Sequence, residues 1–132
     1  MPLFRNVHTL LDMPVAKSES QTGSGYRVVP NEGDDVGDTA QLFRVFFDLT
    51  QSGGASSPTT EASLETSWDA ESWFKVVGSS QVNADGTTHE WKEAAALGPW
   101  VRATTKLGGG TPPSHKVTVK LCSTAPFRLR AE

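Results

Sequence analysis

The chain holds one cysteine, one tyrosine and two methionines in 132 residues, and no stretch approaches the roughly 18 uninterrupted apolar residues of a membrane-spanning helix. A lone thiol closes no intrachain disulfide, so the fold must stand without covalent staples, and folding in a reducing compartment suits it. Charge of one sign is lacking too: 12 Lys and Arg against 15 Asp and Glu give a net charge of −3. With no basic run, there is no field to draw nucleic acid or anionic lipid, and neither is expected as a partner. The opening MPLFRNVHTLLDMPVAKSES has no basic start and no continuous apolar stretch, because Arg5, Asn6, His8, Asp12 and Pro14 interrupt it, so it does not read as a signal peptide.

Motifs that carry chemistry are equally scarce. His8, His89 and His115 lie far apart, without the short His/Cys/Asp spacings that build a zinc site. There is no G-x-S-x-G elbow, and Cys122 falls inside an alternating strand pattern, where it reads as a small buried hydrophobe rather than a nucleophile. The run Gly108-Gly109-Gly110-Thr111 is followed by two prolines where a phosphate loop needs Gly-Lys-Ser/Thr opening a helix. Glu32, Asp34, Asp35 and Asp38 are acidic but lack the spacing of a calcium loop. The expectation is therefore a protein that is not an enzyme and has no metal, no cofactor and no catalytic residues.

What the chain does have is apolar alternation at period two. In QLFRVFFDLT, Phe43, Val45, Phe47 and Leu49 share one face, with Phe46 an apolar exception on the polar side. EASLETSW places Ala62, Leu64 and Trp68 together; WFKVV is a third run of aromatic and β-branched residues. Val101, Ala103, Thr105 and Leu107 form another face, as do Val117, Val119 and Leu121, and these last two strands read as neighbours. Asp85-Gly86 suits a tight hairpin turn. Glu90 to Leu97, rich in helix formers before Gly98-Pro99, reads as one short helix or a loop.

Such strand signals, roughly five to eight of them with turn chemistry between, predict an all-β fold: an antiparallel β-sandwich or jelly-roll-like barrel with an N-terminal extension. The polar, glycine-bearing AKSESQTGSG suggests that residues 1–25 are an arm and flexible linker, leaving 26–132 as a single β-sandwich domain. At this length about two thirds of the unfolded surface is buried, enough for one core. The four tryptophans, at 68, 73, 91 and 100, read as filling the core and its ends; the rival reading is an exposed platform for sugar rings.

Two segments echo each other. SGGASSPTT (Ser52 to Thr60) and LGGGTPPSH (Leu107 to His115) each follow one strand, carry paired glycines then Ser/Thr-Pro, and lead into another. SWDAESW, Ser67 to Trp73, loosely resembles the Asp-box turn of sialidase-like proteins, one residue short and with Glu71 in place of its glycine. That motif is a structural turn, not a catalytic one.

Taken together, RVFFDLTQSGGASSPTTEASLETSWDAESWFKVV and LGPWVRATTKLGGGTPPSHKVTVKL, about residues 43 to 121, resemble small structural virion proteins of tailed phages and prophages. The likeness lies in the small-residue loop Gly53 to Pro58, the Trp73-bearing turn, the Leu97-Gly98-Pro99-Trp100-Val101-Arg102 segment and the closing V-x-V-x-L strand. It implies a capsid decoration or cement protein that binds the major capsid protein or other virion proteins, folded and assembled in the bacterial cytoplasm and located in the virion. A tail or head-tail connector component, or a carbohydrate-binding β-sandwich module, is the alternative, and a homo-oligomer is left open. In this reading the apolar residues of the N-terminal head, Leu3, Phe4, Val7, Leu10 and Leu11, are the partner-binding set, laid into a groove of the shell and repeated over many copies.

Overall fold

The computed structural model describes residues 6–30, 42–53, 58–83, 85–94, 97–108, 113–124 and 127–131. Among them there are nine strands and no helix: β1 (Asn6–Asp12), β2 (Tyr26–Pro30), β3 (Phe43–Ser52), β4 (Thr59–Ser67), β5 (Trp73–Gly78), β6 (Gly86–Ala94), β7 (Trp100–Gly108), β8 (Ser114–Ser123) and β9 (Phe127–Ala131). They form two antiparallel sheets, ordered β1-β8-β3-β6 and β5-β4-β7-β2-β9.

The pairing is nested. β1 pairs with β8, β2 with β7, β3 with β6 and β4 with β5. This is jelly-roll topology with β9 added beside β2, one of the ways in which antiparallel proteins pack two sheets around a core. The alternation seen in the sequence supplies that core: Val45, Phe47 and Leu49 from β3, and Val117, Val119 and Leu121 from β8, meet Ala62, Leu64, Val101 and Ala103 of the opposite sheet. The two echoed segments have one task in common. Ser52 to Thr60 takes the chain from the four-stranded sheet to the five-stranded one, and Leu107 to His115 brings it back at the same end, where Ser52 pairs with Ser114 and Thr59 with Gly108.

The structure corrects several expectations. Residues Gly86–Ala94 form a strand rather than a helix: nine consecutive register pairs with β3, from Gln51↔Gly86 to Phe43↔Ala94, override a helix preference worth only tenths of a kcal/mol per residue. Asp85-Gly86 closes no hairpin, because β5 and β6 belong to different sheets, and Val82 instead bridges to Thr60. β7 and β8 are not neighbours; they belong to different sheets. Trp68 leaves the apolar face of β4, because Ser67 ends the strand in a turn. There the Ser67 hydroxyl accepts the Asp69 and Ala70 amides, Asp69 Oδ1 accepts those of Glu71 and Ser72, and Ala70 takes a φ of +63°. Those amide bonds from Ser72 and Glu71, with the Ser67 hydroxyl, hold the Asp69 carboxyl below its ordinary pKa. The likeness to an Asp-box turn is thus one of local hydrogen bonding.

The largest correction concerns the N-terminal segment. From Asn6 onward it is no detachable arm, because β1 lies along β8 and buries Leu10 to 3% exposure. Nor are residues 16–25 a free linker. The chain continues along β8, with the Met13 amide on the Val117 carbonyl and a two-bond bridge between Lys17 and His115, then crosses to the other sheet and pairs with β7 through Gln21, Thr22 and Gly23. Glycine is required at 23: a Cβ there would stand 2.9 Å from the Ala103 carbonyl oxygen, which the Gly23 amide itself bonds. At the crossing lies buried His115. Its Nδ1 donates to the Lys17 carbonyl at 2.6 Å, so Nε2 is left to accept from the Thr105 hydroxyl at 2.9 Å, and Thr105 Oγ1 accepts the Gln21 amide.

Side chains tie both lateral edges. At one edge His8 Nε2 donates to the Phe127 carbonyl and its ring packs on the Phe127 ring. At the other, Lys92 Nζ donates to the Gly78 carbonyl, while the Ser80 amide and hydroxyl donate to the Glu90 carboxylate. Partial burial works against ionisation of Glu90, but the Ser80 bonds and the Lys92 ammonium outweigh it and hold the carboxyl below its ordinary value.

Two outcomes follow. A chain lacking residues 1–25 should lose its cooperative thermal transition by circular dichroism, since it forfeits β1 and the crossing that joins the sheets. A truncated protein that melts within about 5 °C of the full chain, a difference of about 1 kcal/mol, would contradict this. Glu90→Gln should cost about 1 kcal/mol at neutral pH in urea titrations. A depressed folded-state pKa adds stability above the ordinary carboxylate value, and that stability is lost as pH falls through the depressed one. The gap between variant and parent should therefore close below about pH 4.

Candidate docking face

Because the odd-numbered residues of β3 fill the core, its even-numbered residues face out, and the register places them beside outward residues of β6 and β8. Three rows result. The middle one crosses the whole sheet: Thr9 of β1 beside Lys120 of β8, Lys120 beside Phe46 of β3, and Phe46 beside Trp91 of β6. On one side of it lie Arg44 and Glu93, and on the other Asp48 and His89.

At the centre stands an aromatic pair exposed to solvent. Phe46 is 38% and Trp91 52% exposed; their rings lie nearly parallel, 12° apart with centroids at 5.8 Å, and the Arg44 guanidinium sits 4.0 Å from the centroid of Trp91. Arg44 also approaches Glu93 at 3.8 Å, and Asp48 pairs closely with His89. Val7, Phe46, Asp48, His89, Trp91 and Lys120 line an open cleft of about 490 Å³. The face thus holds an exposed aromatic pair with charges of both signs around it.

The tryptophans therefore do not fill the core. Trp68 is 78% and Trp91 52% exposed, and Trp73 and Trp100 are half-buried. Trp73 lies under the Arg102 guanidinium, 4.4 Å from its centroid, and Arg102 Nε bonds Glu65 at 2.6 Å. Trp68 and Phe74 edge a second open cleft of about 450 Å³ with Thr66, Lys75, Val76, Leu97 and Gly98.

Of the five residues expected to bind a partner, Leu3 and Phe4 lie outside the described residues, Leu10 is core, and Leu11 packs against the core. Only Val7 is available at the surface, on the rim of the cleft. The acidic residues Glu32, Asp34, Asp35 and Asp38 also lie outside the described residues, as do Gly109 to Pro112. Cys122 is buried as expected, its thiol pushed up by desolvation and directed at the Arg44 carbonyl, a setting that suppresses the thiolate. Among the described residues no group of three His, Cys, Asp or Glu side chains is placed to hold a metal ion.

Sequence reasoning missed Phe46 and Trp91 as a pair. Phe46 was visible as an apolar residue out of phase, but its partner lies 45 positions away on a strand whose composition favours a helix, so only the register joins them. No family model, no curated protein and no solved structure matches this chain, so the functional argument starts from the surface just described.

Proposed function

We propose that this chain is a non-enzymatic assembly protein of a tailed phage or phage-derived particle, most simply a decoration or cement protein, and that it meets its protein neighbours through the outer face of the β1-β8-β3-β6 sheet. The observation that carries the protein-binding part is the Arg44-Trp91-Phe46 stack on the β3-β6 half of that face. Two large rings left in water represent a standing cost of roughly 25 cal/mol for each Å² that a partner would cover. Trp and Arg are also the residue types that dominate protein-protein contacts.

On this face the stack favours a protein partner over a sugar, while Trp68, 78% exposed beside the second cleft, keeps a carbohydrate-binding module as the alternative. A sugar-binding tryptophan offers an open ring face, whereas that of Trp91 is already engaged by Arg44 and Phe46. The particle itself is supported by the resemblance across residues 43 to 121. Jelly rolls occur in viral capsid proteins and in lectins alike, so the fold is compatible with either class. Partners are the major capsid protein or other virion proteins, with the contact repeated over many copies so that weak single contacts add up. With β1 built into the sheet, attachment falls to the surface of the folded domain.

Co-sedimentation with phage-like shells that lack the chain tests this. Binding at a fixed stoichiometry is expected, and Phe46→Ala with Trp91→Ala should weaken it about thirtyfold, the loss of about 2 kcal/mol that a hot-spot aromatic carries. Failure to sediment with heads or tails would overturn the particle assignment, and full binding by the double variant would remove the face from it.

A further inference from the structure

We infer that the outer strip formed by β3 and β6 pairs with the same strip of a second copy of this chain, face to face, about a twofold axis running parallel to the strands and midway between them. This rests on reading the face as a protein-docking surface, and it gives that face its occupant. The pair is the form of the free chain, and on the particle the virion neighbour takes the place of the second copy on the same face.

The pattern of charge on the strip is self-complementary. Along the strip, β3 presents Arg44, Phe46, Asp48 and Thr50, and β6 presents Glu93, Trp91, His89 and Thr87 in the matching positions. Each residue on one strand therefore faces its chemical complement on the other: cation to anion, ring to ring, carboxylate to imidazole, hydroxyl to hydroxyl. A twofold axis between the strands lays β3 of one copy over β6 of the other. Arg44 then meets the second copy's Glu93, Phe46 its Trp91, Asp48 its His89, and Thr50 its Thr87. The pairs that exist within one chain are repeated between chains, and no like charges are opposed.

The neighbouring strand chooses between the two axes that a face-to-face pair allows. An axis across the strands, along the row of Phe46 and Trp91, would also match Arg44 to Asp48 and Glu93 to His89, but it would set Lys120 against the second copy's Lys120. With the axis along the strands, Lys120, one strand beyond β3, falls outside the second copy's β6, which is the sheet edge. Aligned sheets pack face to face in sandwiches about 10 Å apart. A strip of two strands is small against the roughly 800 Å² per partner of stable complexes, so the pair forms reversibly and depends on concentration. An isologous contact of this kind closes on itself, so it yields dimers and no chains.

Light scattering and sedimentation velocity on the purified chain, without shells, test this. The weight-average mass should climb from 14.2 kDa toward twice that value as concentration rises. Arg44→Glu and Glu93→Arg should each remain monomeric, since each sets like charges against one another, while an equimolar mixture of the two should recover the dimer. Thermal melts within a few degrees of the parent establish that each variant is folded. As a second check, a mixture of Thr50→Cys and Thr87→Cys chains should be joined into a covalent dimer by a short bis-maleimide, which spans the gap between facing sheets that a disulfide does not. A wild-type chain that stays at 14.2 kDa to millimolar concentration would overturn the proposal. So would dimerisation indifferent to Arg44→Glu, the result expected of edge pairing through β6, or a mixture that fails to restore what the single variants lose. Because shells are absent, such a failure leaves the co-sedimentation result, and the face's wider role, to stand or fall separately.

Discussion

The hydrogen bonds around His115 set the terms for the rest of this molecule. A jelly roll must carry its chain from one sheet to the other, and each crossing strands backbone groups that belong to neither ladder unless partners meet them there. Here the first crossing runs over residues 13–25. Its groups are met by β8 on one side and β7 on the other, with the imidazole bridging the Lys17 carbonyl and the Thr105 hydroxyl at the point of transfer. An orphaned buried polar group costs about 1 to 3 kcal/mol, so a loss at this node would release several groups together. Residues 13–25 are polar in composition and yet structural, since their role is to satisfy backbone rather than to fill volume.

Once both sheets are joined in this way, the distribution of large side chains follows. The inner faces are filled by Val, Leu, Ala and Phe47, with no room reserved for indole rings, and the tryptophans sit at the rim or outside. Arginines then share the exposed surface with them: Arg44 at Trp91 and Arg102 at Trp73, each with a glutamate beside it. The first of these clusters lies on the outer face of the β3-β6 half of its sheet, exposed to solvent. The second is pinned by a short Arg102-Glu65 bond on the opposite sheet.

Legibility in the sequence tracked the range of the interaction involved. The core faces of β3, β7 and β8 were readable because period-two alternation is local, and Val45, Phe47, Val101, Ala103, Val117 and Val119 are all buried as that pattern requires. Cys122 is buried out of phase with that alternation, beside Arg44 of β3. The N-terminal segment was not, because what orders it are His115, Thr105 and Ala103, some 80 to 98 positions away, and its own composition resembles that of a linker. Glu90 to Ala94 misled through helix propensity, which pairing with β3 overrode. The tryptophans misled through a one-way rule: apolar residues fill cores, but not every large apolar residue is inside. The docking face combines both difficulties, since an out-of-phase phenylalanine and an arginine acquire meaning only when the register sets them beside Trp91.

Residues 13–25 are tied into both sheets at Met13, Lys17 and Gln21 to Gly23, and native-state hydrogen exchange tests this directly. The amides of Met13, Lys17, Gly23 and His115 are bonded across the crossing, and they should exchange only with global unfolding, as slowly as those of Val45 to Leu49 in β3. Exchange of these amides several orders of magnitude faster than in β3, at the rate of an exposed loop, would contradict the account and return the segment to the status of a linker.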